Sequence, residues 1–225
     1  WACPNGVRPD SLDRELVCLM EKSGCYSIAL GIESGSDRVL RLMNKRTGTK
    51  IFSEKIRLVA EKTKIRMTGF VIIGFPGEEQ ADIEKTIDFI LNEPLHRIAA
   101  GPFLPLPGTA IYQSLLNEGK IPPDFDWSEL SQYGDGPLFP ADPEKKVAIL
   151  TSNREIHLRF YLRPRVLFEI LREIHSLEQL KIGMRMFFRW LGIGEKARLY
   201  FSEKIPEKAR LYFSLINLPP PRRKT

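Results

Sequence analysis

The sequence predicts an α/β fold on a parallel sheet, and three observations predict it. Short apolar runs show no polar alternation, the mark of strands covered on both faces. Amphipathic helical patterns lie between them. The connections are short, so that strand and helix alternate four times in the first half of the 225 residues.

Residues 1–8 form a strand-like segment that runs into Arg8-Pro9-Asp10. The next helix takes Asp10 or Ser11 as its cap, puts Leu12, Leu16, Leu19 and Met20 on one face, and stops at Gly24. Tyr26 to Ile32 reads as a buried strand, and Glu33-Ser34-Gly35-Ser36 turns into a short helix over 37–43. A second helix, over 50–62, groups Phe52, Ile56, Val59 and Ala60. Met67 to Ile73 is the next strand, closed by Gly74-Phe75-Pro76-Gly77, and the helix over 79–92 carries Ile83, Ile87, Ile90 and Leu91. Arg97 to Leu104 is the fourth strand, stopped by Pro105-Leu106-Pro107-Gly108-Thr109 ahead of a helix to Asn117. Four strands are too few to close an eight-stranded barrel; with right-handed crossovers they suit a slice of an open or partial barrel, or of a doubly wound sheet.

The chain divides into three parts: 1–118, a Pro-, Gly- and Asp-rich linker over 119–143, and a helical extension over 144–225. Residues 1–150 carry 18 Lys+Arg against 21 Asp+Glu, whereas 151–225 carry 16 against 7, so the extension is the basic part. Helical patterns run over 144–161, 164–174 and 177–191, and the octapeptide EKARLYFS occurs at 195–202 and again at 207–214. The aromatics Phe160, Tyr161, Phe168, Phe187, Phe188, Trp190, Tyr200 and Phe201 are interleaved with Arg and Lys. Packed aromatics under a solvated charged face explain this; peripheral docking on an anionic membrane is the alternative, and nucleic acid is not an expected partner.

No apolar run reaches the ~20 residues that span a bilayer. The chain opens on Trp1-Ala2-Cys3 without a start methionine or a secretion signal, which reads as a piece of a longer, cytoplasmic protein. Cys3, Cys18 and Cys25 fit no zinc or paired redox spacing, and His96, His157 and His175 are scattered, so this chain is expected to build no metal site by itself.

In α/β barrels functional groups gather where strands end. Those places are Arg8, then Glu33-Ser34-Gly35-Ser36, then Gly74-Phe75-Pro76-Gly77-Glu78, then Pro105-Leu106-Pro107-Gly108-Thr109. Glu33 can accept bonds from a ribose diol or an ammonium group. Ser34, Gly35 and Ser36 let a ligand approach the backbone and offer helix N-terminal N–H groups to an anion. Ile72 and Ile73 can form an apolar shelf for a purine. Each place also reads as an ordinary capped turn, with Glu78 a helix-opening acid.

In this order, Gly31-Ile32-Glu33-Ser34-Gly35-Ser36, Ile73-Gly74-Phe75-Pro76-Gly77-Glu78 and Pro105-Leu106-Pro107-Gly108-Thr109 resemble the core of radical S-adenosylmethionine (SAM) enzymes. The subgroup resembled carries an N-terminal cobalamin-binding domain, and Phe160-Tyr161-Leu162-Arg163-Pro164-Arg165 is similar to its helical C-terminal region. The resemblance covers about 1–191 and implies the C-terminal portion of a partial (β/α) TIM-like barrel. It further implies a four-iron four-sulfur cluster that reduces SAM to a 5′-deoxyadenosyl radical, and methyl transfer or related radical chemistry aided by cobalamin.

Carried over, Glu33 with Ser34, Gly35 and Ser36 lies near the ribose or amino-acid part of SAM. Ile72, Ile73 and Gly74 line the adenine, Leu104 and Pro105 offer it backbone contacts, and Arg8 points into the cavity. The resemblance assigns no catalytic residue in this chain. The cluster's CxxxCxxC loop has no counterpart, so cluster ligands and cobalamin domain are expected upstream of Trp1, and this piece alone is expected to be inactive. The implied partners are a small-molecule or lipid-like substrate and a reductant such as flavodoxin or ferredoxin. A methylthiotransferase or coproporphyrinogen-type relative without cobalamin is the alternative within the family. A non-catalytic fragment whose basic helices bind membrane or RNA is the alternative outside it.

Overall fold

The computed structural model describes residues 1–121 and 142–190. The linker over 122–141, the EKARLYFS copies and the basic end lie outside them. Strands β1 (Ala2–Val7), β2 (Ser27–Glu33), β3 (Arg66–Ile73) and β4 (Arg97–Pro102) form one parallel sheet in the order β1-β2-β3-β4. Parallel neighbours in sequence order need a crossover each time, supplied by α1 (Arg14–Lys22), then α2 (Asp37–Leu42) with α3 (Thr49–Lys62), then α4 (Gln80–Asn92). Helices α5 (Ala110–Asn117), α6 (Pro143–Tyr161), α7 (Pro164–Glu173) and α8 (Leu177–Trp190) follow.

Side-chain alternation sorts each strand into two faces. Ile28, Leu30 and Ile32 of β2 and Met67, Val71 and Ile73 of β3 share one buried cluster with Phe52, Ile56 and Val59 of α3 and Ile83, Ile87 and Ile90 of α4. Burying a side chain of this kind contributes about 1.5–3 kcal/mol. The opposite face alternates small and large residues in register: Gly31 beside Phe70 beside Ala99, and Ile72 beside Gly101. A Cβ added to Gly6 of β1 would stand 3.7 Å from the Phe70 ring, so this ring leans across β2.

The first helix differs from expectation. Pro9–Ser11 form a 3-10 turn, and Asp13, not Asp10 or Ser11, caps α1 by accepting from the Leu16 N–H at 2.8 Å. The later start rotates the buried face onto Val17 and Met20, leaving Leu16 and Leu19 exposed.

Helix α6 runs along β4, the edge strand. The Tyr161 hydroxyl donates to the Ile98 carbonyl at 2.8 Å and accepts from the Ile98 N–H at 3.2 Å, satisfying backbone groups that β3 does not pair. Arg163 donates to the Leu91 carbonyl at 2.7 Å, and Glu173 of α7 joins Arg66 at 2.8 Å and Arg97 at 2.5 Å at the N-terminal end of the sheet. His157 is buried, with Nδ1 2.6 Å from the Asn153 carbonyl oxygen. Among the described residues no helix is long and apolar enough to cross a membrane.

Candidate functional site at the strand ends

The C-terminal ends of the four strands point the same way and carry all the predicted site residues. At the end of β2 the chain departs from regular strand geometry. Glu33 has φ 65°, and the Ser34 N–H donates to the Ile32 carbonyl at 2.8 Å, closing a three-residue γ-turn centred on Glu33. The register with β3 shifts between Gly31 and Glu33, a bulge of the kind that re-aims a side chain. The carboxylate folds back over Gly31, where an added Cβ would stand 2.9 Å from Oε1.

Lys45 reaches this carboxylate at 3.1 Å, and both side chains are only partly exposed, 29% and 21%. Its position follows from the end of α2. Asn44 has φ 56°, its N–H donates to the Arg41 carbonyl and the Lys45 N–H to the Leu40 carbonyl at 2.8 Å, the paired bonds of a Schellman motif with Asn in the left-handed position. Arg8, at the end of β1, is exposed and pairs with Asp10 at 2.7 Å. The Arg8 bond holds the Asp10 carboxyl below the usual carboxylate range, with Lys45 adding a smaller push in the same direction. Arg8, Asp10, Lys45 and Glu33 thus form a chain of alternating charge across two strand ends.

Ser34, Gly35 and Ser36 do other work than the predicted anion contact. Ser34 and Ser36 are buried. The Gly35 N–H donates to Thr86 Oγ1 at 2.9 Å, and the Ser36 N–H to Ser34 Oγ at 3.1 Å, so neither donor is left for a ligand. A Cβ on Gly35 would stand 2.6 Å from Thr86 Cα and Phe89 Cβ, so the small residues seat helix α4. Ser36 Oγ donates to Asp82 at 2.7 Å, and Arg38 donates to Asp82 and to the Gly77 carbonyl at 2.8 Å. These bonds hold the Asp82 carboxyl well below its usual range, Arg38 first among them. The same Asp82 closes a capping box with Glu79 at the start of α4. The two strand-end motifs are therefore two sides of one buried polar lock. Arg38, Asp82 and Thr86 were missed from sequence; an Asp three residues after Glu79 was the available signal.

At the end of β3, Gly74 has φ 80° and faces α6, where an added Cβ would stand 2.5 Å from Ile149 Cδ1. Ile72 and Ile73 do not form one shelf. Adjacent strand residues face opposite ways, so Ile73 is buried in the main core while Ile72 packs with Phe103, Leu115 and Ile121 at the mouth. Phe75 meets Phe103 edge-to-face at 5.0 Å, and these rings, with Ile72, form the apolar wall. Leu104 is half-buried and Pro105 buried, just beyond the end of β4. Glu78 is not a helix-opening acid: Glu79 caps α4, and Glu78 turns back so that Oε2 accepts from the Gly74 N–H at 2.5 Å.

Residues 2–90 match the model of the Radical SAM superfamily. Over 175 residues the chain is 26% identical to an uncharacterized methyltransferase of Pyrococcus horikoshii, covering 75% of this chain and 36% of that protein. Over 101 residues it is 36% identical to the tRNA-2-methylthio-N(6)-dimethylallyladenosine synthase of Aquifex aeolicus, covering 44% of this chain and 22% of that protein. The chain thus spans well under half the length of these relatives. In structure it is similar to archaeal Elp3 of Methanocaldococcus infernus with an N-terminal deletion, with a TM-score of 0.50 and 18% identity over 67% of this chain and 32% of that one. The fold is therefore part of a TIM-like barrel.

The radical SAM family implies SAM and a four-iron four-sulfur cluster. Among the described residues no group of three or more His, Cys, Asp or Glu could hold a metal ion. Cys3 and Cys25 lie at the N-terminal end of the sheet, opposite the site, where Cys25 is buried and desolvation pushes its thiol up. Cys18 is half-buried on α1. These thiols do not fit a cluster. The strand ends do fit a nucleoside with a charged tail: Glu33 and Lys45 present opposite charges beside an apolar wall.

Proposed function

We propose that the ends of β2, β3 and β4 bind the adenosyl and amino-acid parts of SAM, and that the chain is this part of a radical SAM enzyme that methylates an organic substrate. The observation that carries the reading is Glu33, a carboxylate held at φ 65° on a bulge and paired with Lys45. Backbone strain of this kind costs about 1–3 kcal/mol and persists where the surroundings impose it, often at ligand sites. Glu33 accepts bonds from the ribose hydroxyls or the ammonium group, Lys45 offers its cation to the carboxylate, and Ile72 with Phe75 and Phe103 flanks the base. Leu104 and Pro105 supply backbone contacts to that base.

These residues bind and orient the nucleoside; the described residues hold no cluster. Methyl transfer is favoured over methylthio transfer because the likeness to the named methyltransferase extends over 175 residues, against 101 for the methylthio synthase. Dependence on cobalamin belongs to the same proposal.

Chemical-shift mapping tests the site. Added SAM should perturb the amides of Gly31, Glu33, Lys45, Gly74 and Leu104. Perturbations confined to the other end of the sheet would overturn the assignment.

A further inference from the structure

The turn after β3 contains a carboxylic acid that the proposed site does not use. Glu78 Oε2 accepts the Gly74 N–H at 2.5 Å, while Oε1 is buried with no hydrogen-bond partner among the described residues. The turn it spans is tight on every side. Gly74 sits at φ 80° against Ile149 of α6, Gly77 at φ 84° near Leu42, and Phe75 packs on Phe103. A buried carboxylate with one orphaned oxygen carries a desolvation cost that the backbone bonds offset only in part.

Two charged groups act on it from the packed elements, Asp82 of α4 disfavouring the anion and Arg38 of α2 favouring it; α6 contributes the apolar Ile149. Burial outweighs the bonds to Gly74 and Phe75, and the acid is pushed up to about 7.

We propose that Glu78 is a positioning residue whose proton closes the Gly74–Phe75 turn. With the proton on, the turn is seated against α6 and Phe75 completes the apolar wall with Phe103. With the proton off, the buried charge is relieved by opening the turn to water, which frees the Gly74 N–H and displaces Phe75. The turn's own response is independent of any ligand; its consequence for affinity rests on the reading of the strand ends as a SAM site.

The sign follows from linkage. The closed turn keeps the proton to about pH 7, while a hydrated glutamate loses it near 4.5. Closure is therefore strongest below about 4.5, weakens as pH rises through the window between the two values, and levels off above about 7.

The test is amide hydrogen exchange of Gly74 and Phe75 from pH 5.5 to 8, corrected for the intrinsic pH dependence of exchange. Protection should fall by up to about tenfold per pH unit up to neutrality and then flatten, whereas Glu78→Gln should show a flat profile. Carboxyl carbon NMR of the unmodified protein keeps the proposal falsifiable if that variant does not fold. A Glu78 midpoint near 7 supports it, and one near 4.5 overturns it. Flat protection in the unmodified protein also overturns it, whatever SAM does. If protection follows pH but SAM affinity does not, the turn switch stands and the assignment of the strand ends falls.

Discussion

Lys45 Nζ stands 3.1 Å from Glu33 Oε1, and each residue reaches that position through left-handed backbone. Glu33 itself has φ 65°, and Asn44, immediately before Lys45, has φ 56°. They are the two non-glycine residues with positive φ among the described residues. Asn tolerates that region because its short polar side chain bonds locally; Glu has no such excuse. The strain therefore falls on Glu33, the residue proposed to contact SAM.

Glu33→Gly should consequently raise stability while removing SAM binding. Relief of the left-handed strain is worth about 1–3 kcal/mol. Loss of the partly exposed ion pair gives back about 0–1 kcal/mol. Chemical denaturation should show a net gain near ~1 kcal/mol. A loss of stability would mean that the conformation at Glu33 is not strained.

Gly35→Ala should do the opposite. Its Cβ would meet the backbone of α4 at 2.6 Å, which no rotamer change can relieve. Overpacking of this kind costs about 1–3 kcal/mol. Urea titration with an unchanged midpoint would show that α4 is not seated on this turn.

Much of the fold was legible in the sequence because two-sided apolar runs and short connections leave few topologies. The four strands and the order of their end motifs followed from that. The face of each residue was less accessible. Pairing Ile72 with Ile73 overlooked strand alternation, and placing a cap at Asp10 or Ser11 overlooked the turn at Pro9. Ser34, Gly35 and Ser36 looked ligand-facing because their partners, Thr86 and Asp82, lie 46 to 52 residues away in sequence. Local pattern cannot supply such a pairing. Glu78 looked like a helix-opening acid because its neighbour Glu79, equally acidic, takes the cap instead.

Asp82 makes the lock sensitive to acid. Its carboxyl is held below the usual range by Arg38, Ser36 and the Glu79 N–H, so the stability it confers is present above about pH 4 and is lost as pH falls through its folded value. Asp82→Asn should be less stable than the unmodified protein at pH 7, with the gap narrowing steadily toward pH 2. A gap independent of pH would assign the loss to packing.

Tyr161→Phe isolates the contact between α6 and the sheet edge. It leaves the Ile98 N–H and carbonyl without the hydroxyl that serves both, a loss of about 1–3 kcal/mol. Exchange of the Ile98 amide should accelerate with it; an unaltered rate would show that another group covers this edge.

Calorimetric titration of SAM into the protein and its Glu33→Gln variant tests most directly whether Glu33 binds SAM. A charge-assisted bond is worth about 1.5–3 kcal/mol, so the variant should bind roughly tenfold to a hundredfold more weakly. Its circular dichroism and thermal midpoint should stay close to those of the unmodified protein. Equal affinity in the two proteins would contradict the claim and leave Glu33 as a strained turn residue without a ligand.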